Sequence, residues 1–129
     1  MGQRYIIDTN AVIDYVGDKL PLTAALEMDK LIDDELNTSI VIKIEVLGFN
    51  GVPTEMQKRK DFLTLANTFY VDDRVTDKAI FLRKFYKKLQ LGDAIIAATA
   101  LVHGFTVVSR NTKDFENIEG LNCLNPYDL

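Results

Sequence analysis

Residues 91 to 109 read LGDAIIAATALVHGFTVVS. The span 91–104 has the apolar density of a buried helix and a stop signal at Gly104, while FTVVS (105–109) has the β-branched character of a strand. A helix that runs directly into a strand is half of a crossover unit. One carboxylate, Asp93, stands at the head of this otherwise apolar run.

Working outward, the same alternation recurs along the chain. RYIID (4–8) reads as a strand, and Asn10 is placed to cap a helix through AVIDYV. Residues 23–36 set Ala24, Leu26, Met28, Leu31, Ile32 and Leu36 mostly at helical spacing. TSIVI (38–42) reads as a second buried strand, followed by a helical turn through KIEVLGF. Gly51 and Pro53 break the chain before a helix over 54–69, with Met56, Phe62, Leu63, Leu65 and Ala66 on its apolar side. YVDD (70–73) is a candidate third strand. Residues 75–90 form a further helix, with Ile80, Phe81, Leu82, Phe85 and Leu89 inward. Asp93 caps the helix 91–104, RNTKDFENI is a loop or turn, and LNCLNPYDL supplies an edge strand. Strands alternating with helices predict an α/β fold, a central parallel β-sheet with helices on both faces.

The chain has 129 residues, 47% hydrophobic and 26% charged, which predicts one globular domain over 1–129 with a real core. Its longest nearly apolar stretch, 91–108, contains Asp93, His103 and Gly104 and is a poor membrane span. The start, MGQRYIID, lacks the apolar region of a signal peptide, so a cytoplasmic protein without membrane attachment is expected. Cys123 is the single cysteine, which excludes an internal disulfide and a cysteine-rich zinc site. With 15 basic against 19 acidic residues the net charge is −4, opposite in sign to a simple phosphate-tracking protein. Setting four acids aside in a metal-binding cluster leaves 15 of each sign.

The acids themselves are informative. Sites in open α/β sheets form outside the carboxyl ends of the strands. Asp8 ends the first strand, Glu45 follows the second, Asp114 lies after strand 105–109, and the head of the Asp93 helix shares that edge. Singly, each has an ordinary reading: Asp93 and Asp114 as caps, Asp8 as a strand-end acid, Glu45 as a solvated helix residue. Together they sit in apolar contexts where partial burial costs several kcal/mol per unpaired ion and mutual repulsion adds more. A bound cation resolves that cost. With no histidine- or cysteine-rich ligand set, the expected ion is hard and oxygen-loving, Mg²⁺ or Mn²⁺.

The segments YIIDTNAVIDY (5–15), IKIEVLG (42–48), LGDAIIAATAL (91–101) and VVSRNTKDF (107–115), in this order and spacing, resemble the PIN-domain ribonucleases, and more closely the VapC-type toxins of toxin–antitoxin pairs. DTN after a strand is weak alone, DAIIAATA is more specific, and the four blocks together cover nearly the whole chain. The resemblance implies a PIN-like sheet in the order 3-2-1-4-5 and metal-dependent endoribonuclease activity that leaves 5′-phosphate and 3′-hydroxyl ends. It maps the first three acids of the family site onto Asp8, Glu45 and Asp93. The fourth is assigned to Asp114, with Asn111 or Glu116 as substitutes or helpers. Gly92 stands where many relatives have proline. One or two ions would be held by Asp8 and Asp93, completed by Asp114 directly or through water. Glu45 would ligate a second ion or orient the attacking water. Thr9, Asn10 and Asn111 are candidate supports for those groups, and helix capping is the equal alternative for Asn10. The implied partners are an RNA substrate, a cognate antitoxin protein and a second copy of the chain in a homodimer.

Lys43, Arg110 and Lys113 flank the acidic blocks and are candidates for RNA-phosphate contacts; solvated surface charge is the alternative for each and the preferred reading for Arg4. The groups Lys58, Arg59, Lys60 and Arg83, Lys84, Lys87, Lys88 can likewise line a groove or face solvent. Phe81 and Phe85 are expected in the core, and His103 at a helix end. Competing classes are a PIN-like binding module without catalysis and a receiver-like signalling domain. The latter lacks a lysine ending a late strand, and a haloacid dehalogenase-type phosphatase lacks the second aspartate after DTN.

Overall fold

The computed structural model describes residues 2–129. Strand β1 (Arg4–Ile7) leads through Asp8 into α1 (Thr9–Val16) and α2 (Leu22–Asp34). Strand β2 (Asn37–Ser39) is followed by α3 (Ile40–Leu47) and α4 (Pro53–Thr64), then β3 (Asn67–Phe69). Helices α5 (Asp73–Phe85) and α6 (Leu91–His103) precede β4 (Phe105–Val108) and the short β5 (Cys123–Leu124). Single 3₁₀ turns lie at Thr112–Asp114 and Pro126–Asp128. Every strand pair is parallel, so the chain is α/β with helical crossovers.

The centre is built from β1 and β4. Ile6 and Ile7 stand opposite Val107 and Val108, and all four are almost fully buried. Ala94, Ala97, Ala98 and Ala100 of α6 are completely buried, small residues that let this helix lie close to its neighbours, and α5 packs along it through Val75, Ala79 and Leu82. Gly104 ends α6 in the left-handed conformation at φ 76°, where a side chain would be strained, so the chain turns straight into β4. Among the described residues no helix is long and apolar enough to cross a membrane.

Several sequence expectations are corrected. The single sheet in order 3-2-1-4-5 does not form; the strands make a three-stranded sheet, β1-β4-β5, and a separate pair, β2-β3. β1 and β2 are neighbours, but the Asn37 side-chain amide donates to the Tyr5 carbonyl at 2.8 Å, so a side chain occupies an acceptor that a strand ladder would use. TSIVI is not a strand through residue 42. Ser39 stops it, because its hydroxyl accepts from the Ile42 amide at 3.1 Å and caps α3, a helix that buries Ile42 and Val46 despite their β-branching. YVDD is not the third strand either: Asp72 accepts from the Val75 amide at 2.9 Å and caps α5, and the strand lies earlier, at Asn67–Phe69. Helix α4 ends at Thr64, leaving Leu65 exposed.

Phe81 and Phe85 are not core residues. They are 49% and 68% exposed, with Ile80 beside them, because α5 turns Val75, Ala79 and Leu82 inward instead. Leu26 on α2 is likewise exposed. His103 is the last residue of α6, as expected, with its ring against Phe69 and Phe105.

Phe115 is wholly buried directly after Asp114 and anchors the turn 112–114 to the core. Phe115→Ala is expected to destabilise the protein by about 3–5 kcal/mol, the range for emptying an aromatic core position. Urea denaturation checks this; a loss below about 1 kcal/mol would show that the turn is not anchored there.

Candidate active site

The register of the central sheet places the site. Because Ile7 pairs with Val108, the residues that follow, Asp8 and Ser109, emerge together at the carboxyl edge. The Asp8 amide donates to the Val108 carbonyl at 2.9 Å and the Ser109 amide to the Leu124 carbonyl at 2.9 Å, so both are fixed by main chain before their side chains act.

Asp8 is 5% exposed and is itself the cap of α1, accepting from the Thr9 amide at 2.8 Å. Its other oxygen accepts from the Ser109 hydroxyl at 2.8 Å. Burial raises its pKa above the usual carboxylate range, those two hydrogen bonds oppose the rise, and the charges of Glu45 and Asp114 add to it. Asn10 therefore does not cap the helix. It lies within α1 and reaches the end of the neighbouring strand, its side-chain amide donating to Ser109 Oγ at 3.2 Å and its side-chain carbonyl accepting from the Arg110 amide at 2.8 Å. The Asn111 amide donates to the same Ser109 oxygen at 3.0 Å. Ser109 is the hub of this network, and the sequence reading passed over it. Its signal was positional: it ends β4 at the same offset at which Asp8 ends β1.

Glu45 reaches the site from α3 and accepts from the Thr9 hydroxyl at 2.5 Å. A Cβ added at Gly92 would meet Glu45 Oε2 at 3.5 Å, which brings the start of α6 against α3. Asp93 does not cap α6. The cap position is Gln90, and Asp93 stands in the first helical turn, so its carboxylate is available to the cleft. Burial, then the charges of Asp114, Asp8 and Glu45, push its pKa up to about 6. Asp114 completes the group from the turn after β4.

These four acids line one cleft of about 460 Å³ together with Thr9, Asn10 and Asn111. All its acidic donors are oxygen, which suits a hard cation. Among the described residues no three histidine, cysteine or carboxylate side chains stand close enough together to hold one metal ion. Neighbouring carboxylates repel, and their charges add to the effect of burial in raising the Asp93 pKa, a cost that a bound cation would relieve.

The basic candidates behave differently from one another. Arg110 lines the cleft, but its guanidinium pairs with Asp14 at 2.8 Å. Asp14, 3% exposed, also accepts from the Tyr127 hydroxyl at 2.9 Å. Asp14 was missed, although it too is an acid embedded in an apolar helix. Lys19 and Gln90 line the cleft and were likewise missed. Lys43 is half-buried on α3 outside that lining, and Lys113 borders the adjoining cavity. Arg4 is not simply solvated: it binds Glu35 through two nitrogens, at 3.0 and 2.8 Å.

Parallel strands joined by helices, with an acid cleft at their carboxyl edge, define the class. The PIN domain family matches residues 5–121, and the chain belongs to that family. Over 58 residues, 43% of this chain and 43% of the relative, it is 34% identical to Ribonuclease VapC1 of Rickettsia felis, so the chain spans less than half the length of that curated relative. Among solved structures, it is similar to a toxin–antitoxin complex from Klebsiella pneumoniae, with 28% identity, 97% of this chain and 99% of that chain covered, and a TM-score of 0.75. VapBC2 from Rickettsia felis, solved on a promoter DNA fragment, shares the fold at 19% identity, covering 95% and 98% of the two chains with a TM-score of 0.81.

The Asp93 shift has a consequence for stability. A carboxyl whose folded pKa is raised favours the folded state while protonated; that contribution is full below about pH 4 and is lost as pH rises through about 6. Discounted for solvent exposure, it is on the order of 1 kcal/mol. In EDTA, Asp93→Asn is expected to raise Tm at pH 7 by a few degrees, about what 1 kcal/mol gives, and to flatten the fall in Tm between pH 4 and 7. An unchanged Tm–pH profile would show that Asp93 carries no such repulsion.

Proposed function

We propose that the protein is a divalent-metal-dependent endoribonuclease acting as the toxin of a toxin–antitoxin pair. The observation that carries this reading is the convergence of Asp8, Glu45, Asp93 and Asp114 from four separate segments on one cleft, where their charges add to burial in raising the Asp93 pKa. Membership of the PIN family and similarity to a VapC ribonuclease support it.

Asp8, Asp93 and Asp114 would hold one or two Mg²⁺ or Mn²⁺ ions. When bound, such ions polarise a scissile phosphate and lower the pKa of water. The protein's part is placement. Ser109 and the Thr9 amide fix both oxygens of Asp8, so that it cannot rotate away from the cleft. Thr9 holds Glu45 through one oxygen and leaves the other for a water or a second ion. The Asn10 side chain and the Asn111 main-chain amide both donate to Ser109 Oγ, and Arg110, tied to Asp14, adds positive charge to the cleft.

An antitoxin that silences this site would lay a peptide along the cleft and place a basic side chain among the acids. Similarity to the Klebsiella pneumoniae toxin–antitoxin complex supports that partner. Exposed Ile80, Phe81 and Phe85 give α5 an apolar face suited to a second copy in a homodimer.

Purified protein is expected to cut total RNA at discrete positions with Mg²⁺ or Mn²⁺, leaving 5′-phosphate ends, and to stop in EDTA. Asp8→Asn or Asp93→Asn should lower the rate by on the order of 100-fold or more, and Ser109→Ala by about 10- to 100-fold, as for a residue that orients a ligand. Mapping the new 5′ ends would identify the target. Equal behaviour of the wild type and both aspartate variants across metals, while the folded protein still binds a partner, would replace catalysis with the binding-module reading.

A further inference from the structure

Beside the acid cleft lies a second cavity of about 610 Å³, within the size range of small-ligand pockets. The two share Gln90, Asp93 and Asp114, so they adjoin. Lys87 and Lys88 reach the second cavity from the connection between α5 and α6, and Lys113 from the turn that carries Asp114. The buried Leu89 and Ile118 form its floor, and Tyr86 makes a wall. The Tyr86 hydroxyl accepts from the Glu119 amide at 3.1 Å, which fixes the ring.

The balance of charge differs between the two spaces. The cleft holds Asp8, Asp14, Glu45, Asp93 and Asp114 against Lys19 and Arg110, whereas in the adjoining cavity of a chain whose net charge is −4 the lysines Lys87, Lys88 and Lys113 outnumber the two shared acids, Asp93 and Asp114. Among the described residues none of the three makes an ion pair, although Lys30 and Lys58 elsewhere have found a glutamate one turn away. Unpaired ammonium groups around a fixed aromatic wall match the alternating chemistry of a single-stranded polynucleotide, phosphate then base.

We infer that this cavity is a nucleotide subsite, in which Lys87, Lys88 and Lys113 hold the phosphate next to the scissile one and Tyr86 supports its base. This rests on the nuclease reading and adds to it where the substrate strand runs. Because Asp93 and Asp114 border both spaces, a strand seated on the lysines delivers its neighbouring phosphodiester to the acids. An acidic peptide would find the same lysines but would make no use of a fixed aromatic wall, so RNA is the favoured occupant.

The test is fluorescence anisotropy with a short labelled single-stranded RNA of mixed sequence, in EDTA so that neither metal nor cleavage enters. The exposed lysines are changed to Gln singly and together, and a control protein carries K30Q, R74Q and K78Q, with the same change in charge. Each cavity lysine lost should lower the slope of log affinity against log salt by about 0.7, as for single strands. Tyr86→Leu should weaken binding by about fivefold or more, and Tyr86→Phe, which keeps the ring and loses the bond to Glu119, should retain most of it.

No measurable binding by the wild type, equal losses in the control, or unchanged affinity in the lysine variants would overturn the inference. So would lysine-dependent capture of polyglutamate in place of RNA. Cleavage in Mn²⁺, run in parallel, separates the two readings. Metal-dependent cutting with lysine-independent affinity removes the subsite alone. Lysine-dependent RNA binding without cutting removes the nuclease and leaves the subsite.

Discussion

A buried carboxylate with nowhere to discharge sets the terms for the rest of this molecule. Asp8 is nearly inaccessible at the end of the central strand, where the main chain of β4 holds its amide and Ser109 and Thr9 hold its oxygens. Burying an ion this deeply costs several kcal/mol unless it is paired, and the neighbours in reach are Glu45, Asp93 and Asp114, which worsen the cost. The scaffold answers with hydrogen bonds, which hold the charge in place without neutralising it. That is the condition in which a cation gains most from entering.

The fold class was legible because its signals were redundant. The apolar helix 91–103 ended by Gly104 and followed at once by FTVV needs no tertiary information to be read as a crossover. The boundaries that failed did so where a single side chain decided the matter. Ser39 and Asp72 each turn a β-branched or extended-looking stretch into a helix start by accepting one amide, and local propensity carries no record of that choice. Phe81 and Phe85 failed for another reason. Apolar residues at helical spacing show that a helix has an apolar stripe, but the contacts of α5 with α6 decide which stripe is inward, and α5 has two.

The site was legible to a different depth. Asp8, Glu45, Asp93 and Asp114 stand out as acids in apolar surroundings, and the structure brings all four to one cleft. The groups that organise them did not stand out, because serine, tyrosine and asparagine are unremarkable in a sequence until distant segments meet. Ser109 is a hundred residues from Asp8, and Tyr127 meets Asp14 from the far end of the chain. Arg110 shows the converse: a cation that reads as free charge in the sequence is already engaged by Asp14, an acid ninety-six positions away that only the fold brings beside it.

The break between the two sheets has a mechanical meaning. Asp8 and Asp114 belong to the slab built on β1, β4 and β5, with Asp93 on the helix that runs into β4; Glu45 is carried by the helix that follows β2, in the other slab. Among the described residues no strand ladder crosses between the slabs; they share one apolar core and are tied by the Asn37 amide on the Tyr5 carbonyl, by Arg4 on Glu35 and by the Thr9 hydroxyl on Glu45. Three acids are therefore set by the geometry of one sheet. The fourth rides on α3, whose Ile42 and Val46 lie in the same core, so its place in the cleft is a matter of helix packing and the Thr9 hydroxyl and owes nothing to strand register.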